Sequence, residues 1–183
     1  MILYIISLIL FCGYLGYVAY KFNIPQSISE SSYLLGLKHG NIWFYGWLVA
    51  TVFTLMPYWF ELTKDTNIQY LIFLACAGLL GVSVTGRFRN DKQENKVHLY
   101  CAYGCALAAT LWSLLTFSWF WIVALIVFPL CYLLGKKVKG SQRNLDTNLI
   151  ERKNDSTIFW LEMGCFILCY ISIYIYSQIQ YTV

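Results

Sequence analysis

Apolar stretches about as long as a membrane span recur along the chain, separated by short polar segments. A helix needs about 20 apolar residues to cross the hydrocarbon layer of a bilayer. Residues 97 to 135 contain no Asp, Glu, Lys or Arg and are about twice that length, so we divide them at Thr116-Phe117-Ser118-Trp119. The pattern predicts an all-α polytopic membrane protein, a single domain of residues 1–183 with six transmembrane helices over residues 2–20, 41–60, 68–85, 97–115, 119–135 and 158–178.

Composition excludes an ordinary soluble domain. Of the 183 residues, 59% are hydrophobic and 12% charged, whereas soluble domains are about 45–50% apolar and about 25% charged. The cysteines all fall within predicted spans, where a small polarizable side chain packs well, so we expect no disulfide framework. The first apolar stretch lacks a basic segment before it and a small-residue cleavage site, so we expect it to remain as a helix. No feature indicates a nucleic-acid partner.

Basic residues are distributed unevenly between the predicted loops. Twelve of the 13 Lys and Arg fall in loop 1 (residues 21–40), loop 3 (residues 86–96) and loop 5 (residues 136–157), and only Lys64 falls elsewhere. Cytoplasmic loops carry the excess of Lys and Arg. We therefore expect loops 1, 3 and 5 in the cytosol, both termini outside, and a multi-pass protein of the bacterial inner (cytoplasmic) membrane. The basic residues of loop 5 should also attract anionic lipid, at about 1 kcal/mol each close to the surface.

Small residues recur every four positions in the third and fourth predicted spans. Because lipid gives helices no hydrophobic reason to associate, small residues that allow close backbone approach mark helix contacts. The two stripes predict that these spans pack as a hairpin, and they consist of Ala77, Gly81 and Thr85 in one span and Cys101, Cys105, Ala109 and Ser113 in the other. In loop 5, we expect partial helix around residues 145–152.

Loop 1 holds the most concentrated set of candidate binding residues. Hydroxyl side chains surround one carboxylate there, and the set comprises Ser27, Ser29, Glu30 and Tyr33. One interpretation is local, since Ser27-x-x-Glu30 matches the capping-box pattern at a helix N-terminus. The other is that these residues lie under the bundle beside His98 and Glu162, with Arg87 and Arg89 supplying positive charge. Such a pocket would bind a lipid headgroup, a small polar ligand or a membrane partner.

Glu162 and His98 are the ionisable residues within the ends of predicted spans. A buried carboxylate at membrane depth costs about 2.5 kcal/mol or more, so Glu162 should have a partner, should reach the interface, or should complement the positive N-terminus of its helix. His98, Cys101 and Cys105 share one helical stripe, and Glu162, Cys165 and Cys169 repeat that spacing. Facing stripes would offer zinc a ligand set from His98, Cys101, Glu162 and Cys165. Otherwise the cysteines are inert packing residues, and no cofactor is predicted from them.

Three motifs resemble a known group of proteins. They are Ile24-Pro25-x-Ser27-Ile28-Ser29-Glu30-Ser31-x-Tyr33, the helix start Val97-His98 after a basic loop, and the helix start Phe159-Trp160-x-Glu162. Together they resemble small uncharacterised six-span integral membrane proteins of bacteria and their phages. The resemblance implies the same bundle over most of the chain and implies no activity.

A second comparison concerns the ceramidase-like membrane hydrolases. Their zinc site uses several histidines with a serine and an aspartate among seven helices, whereas this chain has two histidines and six predicted spans. The chain departs from that pattern in the metal ligands. Three function classes therefore stay open: a non-enzymatic membrane protein with a polar binding pocket on the cytosolic side, a metal-dependent hydrolase of a lipid, and an oligomeric pore or transporter.

Overall fold

The computed structural model describes residues 1–36, 40–86 and 88–182, without the side chains of residues 181 and 182. The described chain is all-α apart from one two-stranded hairpin, which confirms the predicted fold class. The helices are α1 (Ile2–Phe22), α2 (Ser31–Leu34), α3 (Gly40–Leu62), α4 (Gln69–Val84), α5 (Lys92–Thr116), α6 (Phe120–Lys137) and α7 (Thr157–Thr182), and the strands are β1 (Gly140–Arg143) and β2 (Ile150–Lys153).

Four of the described helices are long and apolar enough to cross a membrane, namely α1, α5, α6 and residues 157–180 of α7. This identifies a membrane protein. Helix α3 has 23 residues, but tryptophans, tyrosines and Pro57 make it less apolar. Helix α4 has 16 residues, fewer than a span perpendicular to a bilayer of average thickness requires. Length and composition therefore support four spans in the described chain, and six remain a prediction.

The apolar run of residues 97–135 divides where the sequence predicts. Helix α5 ends at Thr116 and α6 begins at Phe120. The predicted start of α5 was too late, because the helix begins at Lys92 instead of Val97. Asp91 caps it, since its side chain accepts hydrogen bonds from Gln93 N at 2.7 Å and Glu94 N at 3.1 Å. The charged residues of loop 3 thus form the first turns of a helix.

Loop 5 is a β-hairpin, so the expected helix around residues 145–152 is wrong. The two strands pair antiparallel, with Gly140 opposite Lys153 and Arg143 opposite Ile150. Asn144 organises the turn, because its Oδ1 accepts from Asp146 N at 2.9 Å and Thr147 N at 3.2 Å. Asn side chains commonly favour turns in this way. The helix prediction was wrong because the turn-forming Asn144 has a stronger effect than the weak helical pattern of this short segment.

Helices α4 and α5 pack closely, which confirms the predicted hairpin, although the contact residues differ in part. A Cβ atom on Gly78 would lie 2.8 Å from the carbonyl oxygen of Cys101, and one on Gly81 would overlap the Cys101 Sγ atom. Ala77, which was assigned to the contact, is exposed. Gly78 therefore takes the place of Ala77 in the contact, because Gly78 and Gly81, which are three positions apart, both face α5. Close backbone approach of this kind is the usual basis of helix association in lipid.

The three basic loops meet at one end of the bundle, which we call the polar end. Loop 1, the segment after α4 and the hairpin contact one another there, as described below. The opposite end holds both termini, because Tyr58 Oη lies 3.8 Å from the sulfur of Met1 and Gln180 Nε2 donates to Leu62 O at 2.9 Å. The chain therefore has its predicted relative arrangement of loops and termini within the described residues.

Candidate functional site

Loop 1 forms a cover over the polar end and is bonded to both the hairpin and α7. Gln26 N donates to Ser141 O at 3.0 Å, and Ser141 N donates to Ile24 O at 2.7 Å. Phe159 N donates to Gln26 O at 3.1 Å, which ties the first turn of α7 to the same loop. Pro25 has no N–H to satisfy and lies opposite Ser141 in a parallel bridge. Backbone hydrogen bonds thus place the serines of loop 1 above the helices.

Glu30, which also belongs to loop 1, is the centre of a buried charged network. It is 3% exposed, and its Oε1 accepts from Arg89 Nη1 at 2.9 Å and from Arg143 N at 3.1 Å. Ser27 Oγ accepts from Glu30 N at 3.1 Å, which is one half of the predicted capping box. The other half does not form, because the Glu30 carboxylate is turned to Arg89 and Arg143. The capping and the buried interpretation of Glu30 therefore each describe part of its role.

Arg143 of β1 connects the end of α2 to the hairpin turn, and it was not identified from the sequence as a site residue. Its Nε donates to Tyr33 O at 2.7 Å, its Nη2 to Leu34 O at 2.9 Å, and its Nη1 to Asn148 O at 3.0 Å. These bonds satisfy carbonyls at the end of α2 and in the hairpin turn. A planar guanidinium presents five N–H donors in a fixed fork, which lets Arg143 reach acceptors on both segments at once. In the sequence Arg143 is one member of a basic loop, and no spacing links it to loop 1.

Burial raises the pKa of Glu30 from about 4.5 to about 7, although Arg89 and the Arg143 backbone N–H oppose that shift. Because the folded state keeps a proton that the unfolded state has released, the stability that this group contributes is full below pH 4.5 and is lost as the pH rises through 7. We expect the free energy of unfolding to fall by about 1–3 kcal/mol from this cause between pH 5 and pH 8. Glu30→Gln should reduce that fall, measured by denaturant unfolding in detergent. Equal pH profiles for both proteins would contradict this assignment.

His98 lies under the cover, in contact with Phe88 and Thr85. Its ring stacks on Phe88 at 4.1 Å between centroids, and Phe88 contacts Tyr33 edge-on at 5.3 Å. His98 Nδ1 lies 2.8 Å from Thr85 Oγ1, whose own hydrogen bond goes to Val82 O at 2.9 Å. Because the single proton of the Thr85 hydroxyl faces the carbonyl oxygens of Gly81 and Val82, we assign Nδ1–H as the donor to Thr85. Nε2 then carries a lone pair and is a hydrogen-bond acceptor.

Glu162 lies in the second turn of α7 and contacts loop 1. Its Oε2 accepts a hydrogen bond from Ile28 N at 2.5 Å. Among the described residues, no donor contacts the other oxygen, Oε1. The sequence expectation of a partner is met by a backbone N–H of loop 1, two residues before Glu30. This single bond leaves acceptor capacity on the carboxyl group, since a carboxylate offers about four lone-pair positions.

A cavity of about 610 Å³ lies beneath the cover, between α3, α4, α5 and α7. At its polar end it is lined by Ser27, Ser29, Asn95, His98 and Glu162. Further down, the walls are mainly aliphatic and aromatic, and they include Leu48, Leu55, Leu79, Phe128, Phe166 and Tyr170. Its size lies within the range of about 300–1,000 Å³ for small-molecule sites. Leu99 and Tyr103 of α5 line it and are also exposed, so it reaches the lateral surface.

The structure brings four of the predicted ligand-binding residues, Ser27, Ser29, His98 and Glu162, to this cavity and places two others beside it. Glu30 and Tyr33 belong to the adjoining charged network, where the Arg89 guanidinium lies 5.2 Å from the Tyr33 ring centre. Arg87 and Lys38 lie outside the described residues. The residues that line the deeper part of the cavity, including Thr51 and Trp59, were not predicted. The sequence of an apolar helix does not show which of its faces lies next to a cavity. Neither the Thr51 hydroxyl nor the Trp59 indole N–H has a hydrogen-bond partner in the described chain.

The residues proposed for zinc are placed differently from one another. Cys101 packs against Gly81 of α4, while Cys165 and Glu162 line the cavity with His98. Within residues 1–36, 40–86 and 88–182, no three His, Cys, Asp or Glu side chains group as metal ligands would. The described cysteines are free thiols, as the sequence predicts.

Comparisons with protein-family models, curated proteins and solved structures found no match to this chain.

Proposed function

We propose that the chain is a six-span protein of a bacterial inner membrane that binds an amphipathic lipid in the cavity between α3, α4, α5 and α7. The observation that carries the proposal is the cavity itself, which has apolar walls and a polar end formed by loop 1, α5 and α7. Such a division suits a molecule with a hydrocarbon chain and a polar head. Ligand sites commonly combine apolar walls with a few convergent polar groups.

The proposed topology counts α3 and α4 as spans in addition to the four longest apolar helices. Three observations support it. Helix α3 has 23 residues, α4 packs against the longer α5, and the short connection between α3 and α4 lies at the end of the bundle that holds the termini. Loops 1, 3 and 5 contain twelve of the 13 basic residues, which favours a cytosolic location for the polar end and for the head of the ligand.

Filling the cavity tests the function. Ala102 of α5 lines the cavity, whereas Ala77 of α4 is exposed and does not line it. We expect Ala102→Phe to reduce the lipid that remains bound after purification by about tenfold, the effect of losing about 1.4 kcal/mol of binding free energy. Native mass spectrometry of the purified full chain measures the bound fraction. Ala77→Phe is the matched control and should bind as the wild type does. Equal lipid content in both variants would refute the proposal.

A further inference from the structure

The polar end of the cavity has a charge composition that restricts its ligand. Among the described residues that line it there is no Lys or Arg. Among the described residues, Arg89 of loop 3 and Arg143 of loop 5 are already bound, since Arg89 donates to Glu30 and to Arg143 O at 2.7 Å, and Arg143 donates to carbonyl oxygens. Phosphate recognition in proteins relies on Arg, Lys or a helix N-terminus that faces the anion. The described lining therefore holds no cationic side chain that would compensate a phosphate or a carboxylate head, and at the N-terminus of α7 the Glu162 carboxyl group already occupies the place of an anion.

Other cations lie at a separate surface. Lys139 and Arg152 line a crevice of about 310 Å³ with Ala19, Asn23 and Val138, and none of these residues lines the larger cavity. Anionic lipid that is attracted to loop 5 would meet these side chains first. The two surfaces thus differ in charge, and only the larger cavity has apolar walls between helices.

At the polar end of the cavity the hydrogen-bonding groups include both acceptors and donors, and the donors are the Asn95 amide and the two serine hydroxyls. With Nδ1–H assigned as the donor to Thr85, His98 Nε2 is an acceptor, and Glu162 Oε1 has no donor in the described chain. Ser27 and Ser29 share one hydrogen bond at 3.2 Å, which leaves one of their two hydroxyl protons for another acceptor. A head that both donates and accepts would satisfy all of these groups. Hydroxyl groups do so, whereas an ammonium donates only.

On the basis of the proposed function, we infer that the ligand is an uncharged lipid with a hydroxylated head, of the acylglycerol class. Its hydroxyl groups donate to Glu162 and His98 and accept from the serine pair of loop 1. Its acyl chain lies along the apolar wall formed by α3 and α5. An unpaired anionic head would be buried beside the Glu162 carboxyl group, which disfavours phospholipids and fatty acids in this cavity.

A panel of ligands with the same oleoyl chain or its C18 equivalent tests this inference. Binding of 1-oleoylglycerol, 1-oleoylglycerol 3-phosphate, oleic acid and oleylamine to the full chain is measured by native mass spectrometry in one detergent. We expect 1-oleoylglycerol to bind at least about tenfold more tightly than the other three. A preference for either anionic lipid, or for oleylamine, would overturn the assignment of the head while leaving the lipid site intact. Absence of binding by all four would count against the proposed function as well.

Variants of the polar end give a second readout. Glu162→Gln keeps an oxygen that can accept from Ile28 N and replaces the second acceptor with a donor. We expect it to reduce the preference for 1-oleoylglycerol over oleic acid by about tenfold, because an amide can donate to a carboxylate. If that variant does not fold, Ser29→Ala is used, with a smaller loss of 1-oleoylglycerol binding of about threefold. A change in stability with an unaltered preference would show a purely structural role and would contradict the inference.

Discussion

Arg89→Ala is expected to lower the free energy of unfolding by about 3 kcal/mol at pH 8, because it removes the cation from a buried ion pair. The Arg89 and Glu30 side chains are 20% and 4% exposed, and Nη1 and Oε1 lie 2.9 Å apart. Glu30 Oε1 accepts two hydrogen bonds, and without Arg89 only the one from Arg143 N would be left. Denaturant unfolding of the purified protein in detergent measures the change.

The matched control uses the ion pair at the other end of the bundle. Lys64 and Glu61 lie 2.7 Å apart, but both side chains are more than half exposed. Lys64→Ala should therefore change the free energy of unfolding by less than about 1 kcal/mol. Adding Glu30→Gln to Arg89→Ala should recover part of the loss, since no charge is then left without its partner. Equal effects of Arg89→Ala and Lys64→Ala would show that the buried network does not stabilise the polar end.

Gly78→Leu is expected to disrupt the contact between α4 and α5. The free energy of unfolding should fall by about 3 kcal/mol, or the variant should fail to fold. Even the first carbon of the new side chain would lie 2.8 Å from the Cys101 carbonyl oxygen and 2.8 Å from Cys105 Cβ. The backbone of α5 cannot rotate away as a flexible side chain could, so the helices must separate. Thermal unfolding of the purified variant, together with its yield, measures the effect.

Gly104→Leu is the control for that substitution. Gly104 lies on α5, one of the two helices concerned, and a Cβ atom there would meet nothing within 4 Å. We expect Gly104→Leu to change the free energy of unfolding by less than about 1 kcal/mol, as ordinary surface substitutions do. If Gly78→Leu were tolerated as well as Gly104→Leu, the close approach of α4 and α5 would not be needed for stability.

The helices were predictable from the sequence because their signals are local. The apolar run that includes Thr116 and Phe117 is too long for one helix, and the structure divides it there. The pairing of α4 with α5 also follows from small residues, although Gly78 had to be distinguished from Ala77 by helical geometry. The hairpin of loop 5 was missed, since its formation depends on the Asn144 turn and on pairing of Ser141 with loop 1.

The candidate site was predictable only in part. Loop 1, His98 and Glu162 were selected because polar groups are scarce and lie on one predicted face. The separation of Glu30 from the cavity depends on Arg143, which is 113 positions away in the chain. No local pattern records such a long-range contact. The cavity depends on the distances between the helices, and these distances cannot be predicted from apolar composition.

The most direct test of the lipid site is photocrosslinking in membranes. A monoacylglycerol with a diazirine on its acyl chain is added to the full chain and activated, and the labelled peptides are identified by mass spectrometry. The proposed site predicts labelling of the cavity-lining residues within 102–109 of α5 and 161–170 of α7, such as Ala106 and Phe166, and loss of that labelling in Ala102→Phe. Labelling confined to outward residues of α6 such as Leu125 and Leu130, unchanged by Ala102→Phe, would contradict it.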